Sequence, residues 1–151
     1  MTPLSRHRLC FVFASGLFAV AMAACGGPGK PSGTAEAKVD FSGEIKPLLQ
    51  EHCVRCHNDQ SLFGGLNLMN RALAFRGGNN GPVIVPGHPE QSRLYLVTLL
   101  PADQDHAMPA TGAVLSDAEK EWLRLWIEQG ATWPEGEEGV LSPVQATPGT
   151  V

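Results

Sequence analysis

Cys53-Val54-Arg55-Cys56-His57 is the stretch on which the reading of this chain turns. A C-x-x-C-H run is the attachment pattern of a covalently held c-type haem. Two thiols add across the haem vinyl groups as thioethers, and two intervening residues set the sulfurs about one helical turn apart. The imidazole of the adjoining His57 can then rise under the iron as the proximal ligand. A structural zinc site would need a second pair of Cys or His ligands at finger-like spacing, and no second cysteine pair follows. A thioredoxin-like redox pair would need a βαβ surround, which the flanks lack. A plain Cys53–Cys56 disulfide is the remaining alternative in an oxidising compartment. The adjoining histidine and the leader upstream favour haem.

The other two cysteines, Cys10 and Cys25, lie near the N-terminus. Arg6, His7 and Arg8 make a basic start, and residues 9–24 are an apolar run ending in small residues. This is the pattern of an export signal. It is shorter than the roughly 20 residues a membrane-spanning helix needs. Residues 1–25 are therefore read as a leader. Its end, Met22-Ala23-Ala24-Cys25-Gly26, resembles a bacterial lipoprotein cleavage box, although leucine is usual where Met22 stands. That resemblance implies lipidation of Cys25; cleavage near Ala21 to Ala23 would instead release a soluble periplasmic protein. Residues 26–39, rich in Gly, Pro, Ser and Ala, read as a flexible tether of about 20 Å average span.

The 151-residue chain carries a formal charge of −4. Without residues 1–25 it keeps 9 basic and 15 acidic side chains, a net −6, and haem carboxylates would add to this. Nucleic acid is not an expected partner.

Residues 40–134 read as the folded domain. Phe41, Ile45, Leu48, Leu49 and His52 recur at helical spacing, predicting a helix over 41–52 that Pro47 breaks or kinks. Residues 58–87 hold Gly64, Gly65, Gly77, Gly78, Gly81 and Gly87 and read as turns around a large filler of the interior. Val83-Ile84-Val85 is expected to be extended against that filler or the core. Pro89 opens a predicted helix over 89–99, with Leu94 and Val97 inward and Pro101 as its stop. A polar loop, 102–114, carries Asp103, Asp105, His106, Met108 and Pro109. Ser116 and Glu119 form a capping box for a last helix. Its expected apolar stripe is Ala118, Trp122, Leu125 and Trp126, and Gly130 ends it. Residues 135–151 read as a disordered tail.

The sixth iron ligand separates the functions. Met108 is favoured, since a soft thioether in a Pro-stiffened loop suits an electron-transfer haem of raised potential. His106 shares the loop and is its competitor. Met69 reads as a core filler, His88 as a helix cap and His52 as a solvated helix residue.

The order of helix, C-x-x-C-H, middle helix, Met-Pro loop and terminal helix resembles that of small class I cytochromes c. The chain is similar in particular to the planctomycete-type cytochrome c domain. That similarity rests on Ile45-Lys46-Pro47-Leu48-Leu49, Cys53 to His57, Gly64-Gly65-Leu66, the Gly77-Gly78 to Pro86-Gly87 stretch, Met108-Pro109, and Trp126-Ile127 before Gly130-Ala131. It implies an all-α, class I-like fold around one covalent haem c, with His57 and Met108 on the iron. It also implies an electron-transfer protein rather than an enzyme. The family occurs as one module of much larger proteins, whose roles do not carry over, and it is the leader that makes a redox partner in the bacterial cell envelope the expectation. A haem sensor or small-ligand binder with an open distal site is the alternative.

Overall fold

The computed structural model describes residues 38–144, so the expected leader, Cys25 and most of the tether lie outside the described residues. Among the described residues there are helices and no named strands, only two isolated bridges. No described helix is long and apolar enough to cross a membrane.

Asp40 starts the domain by accepting the Gly43 N–H on its carboxylate. A π-helical turn, Phe41–Ile45, runs directly into α1, Lys46–His52. Pro47 falls in the first turn of α1, where a missing N–H costs nothing, so the predicted break is a change of helical pitch rather than an end. The glycine-rich segment contains a helix that sequence periodicity missed, α2, Arg71–Arg76, capped by the Asn70 side chain on the Leu73 N–H. The predicted 89–99 helix is split. Pro89–Gln91 is a 3₁₀ turn, Ser92 is extended, and α3 covers only Arg93–Leu96. The last helix, α4, Asp117–Glu128, has the predicted capping box, with both halves formed.

The core is centred on Phe41, Trp126 and Trp133, whose ring centroids lie 4.9 to 6.2 Å apart. Both indole N–H groups are satisfied, Trp126 by the Thr132 carbonyl and Trp133 by the Gly139 carbonyl, each at 2.8 Å. The buried stripe of α4 is Leu123, Trp126 and Ile127, with Leu125 partly buried against the core; Trp126 is as predicted, while Ala118 and Trp122 are corrected. The core is reached by turning the helix toward Phe41 and Trp133, and that leaves Ala118 outside and Trp122 38% exposed.

The boundary expected at residue 134 is also corrected. Residues 135–144 continue the fold: Leu141 is fully buried and donates its N–H to the Met69 carbonyl at 2.7 Å. Lys46 Nζ bonds the Glu138 carbonyl at 2.8 Å, and Gln50 bonds that of Ser142 at 3.0 Å. One leucine and a tryptophan anchor override a polar composition, because burial energy depends on where apolar groups fall rather than on their average.

Candidate functional site

The C-x-x-C-H turn begins where α1 ends. Cys53 is the C-cap, and the N–H groups of Cys56 and His57 both return to the Cys53 carbonyl at 3.1 Å. Val54 is fully buried in the core, while Cys53, Cys56 and His57 line a cavity of about 780 Å³. That size lies in the usual range of 300–1,000 Å³ or so for a cofactor-sized pocket. The two cysteines are free thiols. Burial, with Cys56 beside it, pushes the Cys53 thiol up to about 12. Cys53 is thus a neutral thiol at physiological pH, the reverse of the depressed thiolate a redox nucleophile needs.

Two devices fix His57. Its Nδ1 lies 3.1 Å from the Phe63 carbonyl oxygen, so Nδ1 carries the hydrogen and Nε2 keeps its lone pair. Desolvation lowers its pKa below the ordinary value, which favours the neutral, ligating form. The second device is Asn58, which sequence reasoning missed. Only 7% exposed, it donates to the carbonyls of Val54 and Arg55 at 2.8 and 3.1 Å. Its Oδ1 accepts the N–H groups of Gln60 and Ser61 at 2.8 and 2.9 Å. An Asn followed by Asp-Gln-Ser is an Asx-turn signal and was legible in principle. The His57 carbonyl in turn accepts the Leu68 N–H at 2.9 Å.

The walls are largely apolar: Leu66, Leu68, Val83, Leu94, Val97 and Leu115. Val83 and Ile84 are buried as expected, and the Leu94 N–H bonds the Val83 carbonyl at 2.9 Å. The glycine-rich stretch makes one wall by close backbone approach. A Cβ on Gly77 would run into the Gly81 carbonyl, and one on Gly78 would press on the Gly64 carbonyl.

The 102–114 loop brings both His106 and Met108 to the same cavity, along with Pro109. Met108 is half-buried, and its N–H bonds the Val97 carbonyl at 3.0 Å. His106 is exposed and takes a left-handed φ of 69°. Met69 packs against the core and is not among the cavity walls. Asp103 and Asp105 are exposed. His88 meets Glu90 at the surface at 3.1 Å, without the predicted side-chain cap. His52, predicted to be solvated, instead stands at the cavity wall with Nε2 3.0 Å from Glu119 Oε1. This pair ties the end of α1 to the first turn of α4.

Among the described residues, no group of three or more His, Cys, Asp or Glu side chains is arranged to hold a metal ion by itself. Two free thiols, a neutral imidazole and an apolar cavity reached by a thioether fit a covalently attached haem. The site has the features of a c-type haem site.

The comparison with family models agrees. Residues 53–112 match the model described as Planctomycete cytochrome C, which supports a planctomycete-type cytochrome c domain over that stretch. The match runs from Cys53 through the loop bearing Met108. Neither a curated protein nor a solved structure gives a match. The match suggests a haem-binding, electron-transfer role.

Proposed function

We propose that the protein is a single-haem c-type cytochrome with a class I-like fold that carries electrons in the bacterial cell envelope. The carrying observation is one cavity lined by Cys53, Cys56 and His57 and also by Met108. In this account Cys53 and Cys56 would hold the porphyrin as thioethers, and His57 Nε2 and the Met108 sulfur would be the protein's ligands to its iron. The haem, when bound, supplies the one-electron couple.

What the chain contributes is positional. Asn58 and the Phe63 carbonyl hold His57 in one tautomer and one orientation. The Met108 N–H bond to Val97 ties the distal loop to the end of α3. With both ligands held by the fold, little rearrangement accompanies a change of iron oxidation state. The apolar walls exclude water and favour the less charged reduced state, as a methionine ligand also does.

Leader cleavage with lipidation at Cys25 would hang the domain close to a membrane surface on residues 26–39, facing a protein redox partner. The acidic balance of the mature chain weighs against nucleic acid as a partner.

The test is expression with the c-type maturation enzymes followed by mass analysis of the peptide spanning residues 53–57. One haem per chain, lost in Cys53→Ala/Cys56→Ala, is expected; an unmodified peptide would end the account. His106 on the same cavity supports a second reading, a ligand sensor in which the methionine does not close the site.

A further inference from the structure

Two arginines line the cavity, and among the described residues neither has an ion-pair or hydrogen-bond partner for its guanidinium. They differ in origin. Arg55 leaves from the attachment turn itself, between the two cysteines. Arg93 is the first residue of α3, on a separate wall.

The backbone on both sides of Arg93 is pinned. Ser92 is fully buried, and its hydroxyl accepts the Val85 N–H at 2.9 Å while lying 2.9 Å from the His88 carbonyl. Leu94 is held by its N–H bond to Val83 at 2.9 Å and turns its side chain to the cavity. So Arg93 has a fixed root and a free, exposed charge at the cavity edge. Glu51 is the one carboxylate among the lining residues, and it comes from α1, next to the attachment turn.

Porphyrin chemistry supplies the complement. A c-type haem is tethered through its two vinyl positions, and its two carboxylates leave from the opposite edge of the ring. The cysteine turn therefore fixes the vinyl edge, and the carboxylates fall to another wall. A planar guanidinium is the side chain best matched to a carboxylate.

Resting on the proposed haem function, we propose that Arg93 is the counter-ion of a haem carboxylate and a positioning residue that tunes the iron through it. Arg93 makes no contact with the reacting iron in this role. It neutralises one carboxylate, which favours the reduced state, and it holds that carboxylate ionised to lower pH.

The test compares holo-protein of wild type, Arg93→Gln, Arg93→Lys and Arg55→Gln. The readouts are haem content and midpoint potential from pH 5 to 9. Haem content should be equal in all four, because the thioether bonds do not involve either arginine. Arg93→Gln should lower the potential across the range and move its pH-dependent fall to higher pH. Arg93→Lys should restore part of both, and Arg55→Gln should leave the pH profile unmoved. His52, paired with Glu119, and His106 also line the cavity, but they are common to all four proteins. Potential–pH curves for Arg93→Gln and wild type that superimpose would overturn the assignment and leave the cytochrome function standing. Equal shifts in Arg93→Gln and Arg55→Gln would overturn it too, as a general field effect. A wild type without covalent haem would remove both.

Discussion

His57 Nδ1 and the carbonyl oxygen of Phe63 are 3.1 Å apart, six residues along the chain and across a tight turn. That contact commits the imidazole before any ligand arrives. A histidine free to rotate would offer either nitrogen; this one offers Nε2. Asn58 makes the geometry possible by gathering two carbonyls and two N–H groups of the intervening turn on one buried amide.

Replacing that amide tests the arrangement. Asn58→Ala leaves buried backbone groups unpaired, each worth about 1–3 kcal/mol. The holo-protein should lose stability on that scale in a denaturant titration. Asn58→Asp, which keeps the acceptor but loses both donors, should recover part of it. No change in the midpoint for Asn58→Ala would show that the turn is held otherwise.

Leu141 tests the extended boundary. Its side chain is fully buried and its N–H is bonded to Met69, so Leu141→Ala should cost about 2–5 kcal/mol. A tail merely trailing from residue 134 would give a change within about 0.5 kcal/mol. Thermal unfolding of the two proteins separates these results.

Glu119 joins two functions at the start of α4. Its carboxylate is held below its usual pKa first by the Ser116 hydroxyl, with the Ser116 backbone and His52 adding to the effect. A carboxyl depressed on folding contributes stability that is present above its unfolded value near 4.5 and is lost as pH falls through the lower folded value. Glu119→Gln should flatten that acid limb and cost about 1 kcal/mol at neutral pH through the weakened cap. An acid limb identical to wild type would assign it to other carboxyls.

How much of this was legible in the sequence depends on the range of the interaction. Local chemistry was readable: the C-x-x-C-H turn, the Ser116–Glu119 box, Gly130 just past the end of α4, and Met108 on a loop that lines the same cavity as the cysteine turn. Pro101 was not the stop expected, since α3 already ends at Leu96. Short elements were not readable. α2 is only six residues, Arg71–Arg76, with one fully buried position, so periodicity had nothing to accumulate. The predicted 89–99 helix failed at Ser92, whose hydroxyl is drawn to Val85 and His88 and holds the backbone extended. The stripe of α4 was misjudged because Trp122 and Trp126 look alike in sequence, and only the position of Phe41 and Trp133 decides which is inside. His52 looked solvated because its partner lies 67 residues away.

Met108 carries the central claim, since the proposed site is closed by its sulfur. The most direct measurement is the near-red absorption of oxidised holo-protein, wild type against Met108→Ala. The account predicts a weak sulfur-to-iron band in wild type. In the variant that band disappears, the potential falls and carbon monoxide binds the reduced haem. Covalent haem that lacks the band in wild type, with an unchanged spectrum in Met108→Ala, would contradict it and pass the site to His106 or to an exogenous ligand.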